Sequence, residues 1–240
     1  MTQSDDSFQR ENARLRGDLH TVARRICHDL RMPLGGIIAT TEALKEELAA
    51  KNPAGAALGE AILNSTDDLA RLIDRVSFVL RASINPIPKK AAAMEEIVLA
   101  ALEQLERKIR KTGASISQPE SWPFVPGVAS WLQTIWWNLI ANGLEHAGKS
   151  PRIELGWREE FGECRFWVRD NGAGVSAKKR DKLFQPFHLL HEPNSPHGLG
   201  LPIVQRLVEL QGGHCGYEPD SGGGAFFYFT LPSAENEHET

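Results

Sequence analysis

Apolar positions fall at helical spacing almost from the first residues. Phe8, Leu15 and Val22 recur every seven residues, with Leu19 and Ile26 at the alternate spacing, a pattern that predicts a coiled-coil seam. Leu34, Ile37, Ile38, Thr41, Leu44 and Leu48 carry an amphipathic helix past Pro33, which lacks an amide hydrogen and predicts a kink. Residues 51–55 read as a turn. Leu58, Ile62, Ser65, Leu69, Leu72, Val76 and Val79 then recur at intervals of three and four, so a second helix follows. Two long helices joined by a short turn make an αα-hairpin. Each helix has an apolar stripe that its partner covers only in part. Pairing of two hairpins into a four-helix bundle would bury the rest.

The pattern changes after Asn85-Pro86-Ile87-Pro88, which reads as a linker. Residues 1–84 therefore form one domain and 85–240 another. In the second, helices are expected over 94–111, 130–147 and 202–211. Strands are expected over 152–158 and 164–169, where apolar residues alternate, and over the aromatic stretch 225–231. This mixture predicts an α+β chain: a helical hairpin, then an α/β sandwich with helices over one face of a mixed sheet. Residues 1–7 and 233–240 read as mobile polar tails.

Composition narrows the possibilities. The 240 residues are 41% hydrophobic, enough for a sizeable core. A formal net charge of −4 with no basic run argues against a nucleic-acid surface. No apolar run approaches the roughly 18–20 residues that span a bilayer, and the acidic, polar N-terminus is unlike a signal peptide. A soluble chain is expected, with no membrane segment and no sensor module of its own. Cys27, Cys164 and Cys215 are far apart and odd in number, which suits a reducing cytoplasm better than a disulfide framework.

Four short constellations carry candidate chemistry. In His28-Asp29-Leu30-Arg31-Met32-Pro33-Leu34, a neutral imidazole is a good nucleophile, and Asp29 can fix its tautomer. The same heptapeptide reads equally well as an ordinary surface histidine beside a helix-face aspartate. Asn138 and Asn142 lie four apart on a helix, and each offers an oxygen to a hard cation such as magnesium, or merely faces solvent. Asp170 ends a strand and precedes Asn171-Gly172-Ala173-Gly174, which can hold a purine amine against a close backbone or simply form a tight turn. Gly198-Leu199-Gly200 opens a helix whose free amides suit phosphate, although a lone Gly-x-Gly also begins ordinary helices. Phe184 and Phe187 flank the next loop, as lid anchors or as core residues.

Taken in order, these segments resemble a sensor histidine kinase of two-component signalling over residues 15–232. Residues 28–34 resemble the H box, 138–147 the N box, 170–174 the G1 box, 184–187 the F box and 198–201 the G2 box. The resemblance implies a homodimeric helical hairpin that carries the phosphoacceptor, and a GHKL (Bergerat-type) domain that binds ATP and Mg. It implies that His28 is phosphorylated and that Asp29 activates it. Asn142 would hold the metal, with Asn138 assisting in the pocket. Asp170 would read the adenine amine, and Gly172 and Gly174 would shape the adenine wall. Gly198, Leu199 and Gly200 would let a lid turn close over the phosphates. The implied partner is the receiver domain of a response regulator.

Three positions depart from the family pattern. Met32 stands where threonine or asparagine often positions water for dephosphorylating the regulator, which a thioether cannot do. Glu145 stands where many relatives carry lysine, and Lys149 is a candidate to compensate. Pro196 replaces a glycine in a short lid, 188–197. The expected activity is autophosphorylation of His28 from Mg-ATP followed by transfer to a regulator aspartate. The alternative is a histidine phosphotransfer relay with a degenerate ATP-binding domain. Cys27, beside His28, is expected to be a packed thiol or a bystander.

Overall fold

The computed structural model describes residues 3–48, 52–84, 87–185, 199–220 and 223–233. The chain divides into two compact units, Met1–Pro86 and Ile87–Thr240.

The first unit is a helical hairpin of α1 (Gln3–Leu48) and α2 (Pro53–Ile84). Helix α1 is continuous through Pro33 and already includes residues 3–7, which the sequence suggested were a loose tail. Helix α2 already begins inside the run 51–55 that read as a turn. Pro53 occupies the first helical position of α2, where its missing amide hydrogen costs nothing. The Asn52 side chain accepts the Gly55 amide at 3.0 Å, so Asn52 caps the helix. Cys27, Leu34 and Ile73 form the buried seam, with Ala70 packed against them. Lys45 and Glu60 pair across the two helices. Ile26, Leu30, Ile37, Leu44, Leu58, Ile62 and Leu69 remain exposed on the hairpin. The side chains of the expected seam before Ile26 lie outside those described.

The second unit is a helix-on-sheet sandwich. Its elements are β1 (Lys90–Ala93), α3 (Met94–Thr112), β2 (Ser115–Ser117), β3 (Phe124–Gly127), α4 (Ala129–His146), β4 (Arg152–Glu160), β5 (Glu163–Asp170), α5 (Ala177–Arg180), α6 (Gly200–Glu209), β6 (Cys215–Pro219) and β7 (Ala225–Pro232). The five-stranded sheet runs β2-β4-β5-β7-β6, with β2 parallel to β4 and the other pairs antiparallel. Strands β1 and β3 pair separately. The alternating burial along β5 puts Cys164, Phe166, Val168 and Asp170 on the covered face.

Trp136 of α4 fills the centre of this core. It meets Trp122, Phe166 and Phe229 edge-on at 5.3, 6.1 and 5.4 Å, and its indole N–H points at the Met94 sulfur at 3.1 Å. Helix α3 is thereby joined to α4 and the sheet. Ser233 is buried rather than part of a loose tail: its amide bonds the Gly162 carbonyl and its hydroxyl bonds Glu159.

Candidate functional site

His28 stands on the outside of α1 with 72% of its side chain exposed. Its Nδ1 lies 3.2 Å from Asp29 Oδ1. A carboxylate at that nitrogen favours the Nδ1–H tautomer and turns the Nε2 lone pair to solvent. Arg25, one turn earlier, approaches the other Asp29 oxygen at 3.9 Å. Met32 is 73% exposed and lies four residues after His28, on the same side of the helix. Cys27 faces the opposite way, into the hairpin seam, which bears out the packed-thiol reading.

In the second unit the separate sequence motifs converge on Asp170. This residue ends β5 and is 4% exposed. Its Oδ1 accepts the amides of Gly172 at 2.8 Å and Ala225 at 3.2 Å. Neither bond uses Oδ2, which lies 3.9 Å from the position a Cβ on Gly143 would take. Burial pushes the carboxyl above its ordinary value of 3.8, against the opposing pull of the two amides and of His146. A buried carboxylate whose Oδ2 makes neither of these two bonds to the described residues suits a polar donor on a ligand.

The glycines around it answer to the protein's own packing. A Cβ on Gly172 would lie 2.3 Å from the His146 carbonyl oxygen, so the turn after β5 sits directly on the end of α4. Gly174 has φ +66°, and its Cβ would meet the Gly224 oxygen at 2.6 Å. Gly224, with φ +96°, approaches the Asp170 carbonyl so closely that a Cβ would fall 2.0 Å from it. Asn171 braces the same turn: its Oδ1 accepts the Arg152 amide and its Nδ2 donates to the Ser150 carbonyl.

Helix α4 links the other motifs. Gly143, next to Asn142, packs on Asp170, and its Cβ would lie 3.6 Å from that of the aspartate. Asn142 is half-buried, whereas Asn138 is 6% exposed. The Asn138 amide donates to the Thr134 carbonyl at 2.7 Å and turns its oxygen to Gly200, whose Cβ would sit 3.1 Å away. Leu199 and Gly200 begin α6, which has no side-chain cap at its N-terminus. Glu145 turns to the Lys108 ammonium on α3, which also approaches the Ala141 carbonyl at 3.4 Å. Lys108, not Lys149, is its partner. Gly198, Phe187 and the lid 188–197, with Pro196, lie outside the described residues. Phe184 is half-buried.

Gly224, Ala225 and Lys108 were not singled out in the sequence, and Asn171 was named only as part of the turn. The run Gly222-Gly223-Gly224 before β7 was the one signal on offer for the first two. A cleft of about 370 Å³ borders this centre: Asp170 and Asn171 line it together with Ser115, Arg152, Glu154 and Asp220. Its Arg169 is already paired with Glu154 and Asp220. Burial and Glu159 push the Cys164 thiol up to about 11, and burial and Glu209 push Cys215 up to about 12, so neither is a thiolate near neutrality.

An exposed histidine on a helical hairpin, followed by a helix-on-sheet domain with a buried carboxylate among glycine turns, is the arrangement that a phosphoacceptor joined to a nucleotide-binding fold would need. Comparison with known proteins agrees. Residues 18–82 match the family described as the His Kinase A (phospho-acceptor) domain, and residues 127–235 match the Histidine kinase-, DNA gyrase B-, and HSP90-like ATPase family. The chain is 34% identical over 229 residues to the methanogenesis regulatory histidine kinase FilI of Methanothrix harundinacea, covering 93% of this chain and 25% of that protein. It is 29% identical over 245 residues to cyanobacterial phytochrome A of a Nostoc species, covering 100% of this chain and 31% of that protein. Among solved structures, full-length ShkA in complex with AMPPNP matches with a TM-score of 0.70 and 25% identity, over 88% of this chain and 45% of that one. The histidine kinase ThkA, solved with the response regulator TrrA, shares the fold with a TM-score of 0.66 and 21% identity, over 99% of this chain and 69% of that one. The chain belongs to the sensor histidine kinases, with a GHKL-type ATP-binding domain. It spans a quarter to a third of the length of these two curated relatives.

Proposed function

We propose that the chain transfers the γ-phosphoryl group of ATP to His28 and then to an aspartate of a response-regulator receiver domain. The observation that carries this reading is the exposed His28 with its Nδ1 held by Asp29. In the transfer, Nε2 forms a bond to the γ-phosphorus while the bond from that phosphorus to the bridging oxygen breaks, and ADP leaves with the electron pair. The positive charge that develops on the imidazole is balanced by Asp29, which can then take up the Nδ1 proton.

The second unit supplies the binding side of this reaction. Asp170 Oδ2 accepts the exocyclic amine of adenine, while Oδ1 stays with its two amides. Gly172 and Gly174 form the wall beneath the base. The uncapped start of α6 at Leu199 and Gly200 offers amides to phosphate, and Gly198, next before them in sequence, is assigned the same role. Asn142 offers one neutral oxygen to magnesium, which suits a cation that keeps most of its waters and binds phosphate oxygens. Magnesium, when bound, neutralises charge as the phosphoryl group moves. Asn138 fixes the start of α6 against α4. The Glu145–Lys108 pair removes a carboxylate from the phosphates.

Residues 1–84 serve as the dimerisation and phosphotransfer hairpin and 85–240 as the catalytic domain. The exposed apolar residues of the hairpin support a homodimer in which a second copy covers them. Among the described residues, no helix is long and apolar enough to cross a membrane, which supports placing the chain in the cytoplasm. What speaks for a kinase over a phosphotransfer relay is the formed cradle around Asp170.

Incubation with ATP labelled at the γ-phosphate, followed by a receiver domain, tests the reading. Label should appear on the chain, be acid-labile and alkali-stable, pass to the receiver, and vanish in Asn142→Ala. Label that reaches the chain only from a phosphorylated receiver would establish the relay instead.

A further inference from the structure

Gln211 lies just past α6 and is wholly buried, at 0% exposed. A buried amide needs both an acceptor and a donor partner. Its Oε1 accepts the Val128 amide at 2.8 Å, and its Nε2 donates to the Leu207 carbonyl at 3.0 Å. The two partners fix the orientation of the amide, because one only donates and the other only accepts. Its own carbonyl accepts the Lys89 ammonium at 2.7 Å. Val128 is the N-cap of α4 and makes no side-chain cap of its own. The approach is close: a Cβ on Gly127 would lie 3.0 Å from Gln211 Oε1 and 2.9 Å from Leu132.

Helices α4 and α6 meet again at Asn138 and Gly200. Ten residues separate Val128 from Asn138, and eleven separate Gly200 from Gln211. At the helical rise the spans are about 15 and 17 Å. The helices therefore run antiparallel, held at two points of matching separation. One point is the candidate phosphate end, and the other is Gln211.

We propose that Gln211 is a positioning residue for the nucleotide: by bonding Val128 and Leu207 together it sets the register of α4 against α6. That register fixes Asn138 and Asn142 relative to the first turn of α6 at Gly200. The proposal rests on the reading that ATP binds beside these two helices. Lys89 brings the start of the second unit to the same point.

The test uses the full chain. Gln211→Met keeps the volume and loses both side-chain bonds, whereas Gln211→Glu keeps the bond from Val128 and sets a carboxylate oxygen against the Leu207 carbonyl. Leu105→Ala, a truncation in the α3 core, controls for lost stability. Each is titrated with a fluorescent ATP analogue well below its melting temperature, and KM and kcat for self-labelling are measured. Gln211→Met should raise Kd and KM about tenfold, a part of what two lost buried hydrogen bonds cost together, and leave kcat within about twofold. Gln211→Glu, which sets two acceptors face to face, should raise them at least as much, and Leu105→Ala should melt lower with unchanged Kd.

A second measurement needs no variant. In the wild type, the analogue should slow hydrogen exchange at the Val128 amide, because coupling between two sites is reciprocal. If Gln211→Met fails to fold, this exchange result decides. Unchanged affinity in Gln211→Met, equal weakening by Leu105→Ala, or exchange at Val128 indifferent to nucleotide would each overturn the proposal. A wild type that binds no analogue refutes the ATP reading itself, and the proposal with it.

Discussion

Replacing Asp170 with asparagine should move stability and nucleotide affinity in opposite directions. The asparagine carbonyl oxygen can still accept the Gly172 and Ala225 amides now held by Oδ1. What changes is the other position, where Oδ2 becomes an NH₂ group. Burial dominates the raised carboxyl value, so the folded state binds the proton more tightly than the unfolded chain does. The stability this lends is present below the ordinary value of 3.8 and is lost as pH rises through the higher folded value. At neutral pH the carboxylate is therefore a burden on the fold, and neutral asparagine removes it. The nucleotide-free variant should melt no lower than the wild type. Binding should suffer, because a donor now faces the adenine amine. A hydrogen bond to a charged group contributes about 1.5–3 kcal/mol, so ATP affinity should fall about ten- to a hundredfold. A fluorescent-nucleotide titration and a thermal melt measure both effects. Affinity within about threefold of the wild type would refute the placement of adenine at Asp170.

Other substitutions probe other parts. Asp29→Asn should slow self-labelling about a hundredfold without changing analogue affinity, as expected when a group that orients a nucleophile is neutralised. Gly224→Ala should lower the melting temperature by several degrees and weaken nucleotide binding, because its Cβ would meet the Asp170 carbonyl at 2.0 Å on a φ of +96°. Lys108→Met should raise the KM for ATP a few-fold by freeing Glu145, and adding Glu145→Gln should restore it, as a double-mutant cycle would show. Met32→Thr, at an exposed position one turn after His28, should accelerate dephosphorylation of a phosphorylated receiver by the chain, measured as release of inorganic phosphate.

The chemistry-bearing residues were legible because they are local. His28 touches its own neighbour, and the acid of the 170–174 turn bonds an amide two residues on. The long helices and long strands were legible from period alone. Strands β1, β2, β3 and β6 are three to five residues long, too short for alternation to show. The Asn52 cap was hidden inside a stretch that read as turn from its proline and glycine. Partners distant in sequence were invisible: Gly224 against Asp170, Lys108 against Glu145, and Gln211 against Val128, 83 residues away. The 170–174 glycines were assigned to ligand approach, whereas the nearest atoms to Gly172 and Gly174 are carbonyl oxygens of His146 and Gly224. Sequence spacing shows that a backbone must come close to something, but not to what.

The central claim is that His28 Nε2 receives the γ-phosphoryl group. The most direct measurement locates label from γ-labelled ATP in the wild type and in His28→Ala. The account predicts acid-labile, alkali-stable label on the imidazole of His28, and none in His28→Ala, which should still bind the analogue with unchanged affinity. Persistent label in His28→Ala, or acid-stable label on another residue of the wild type, would contradict it.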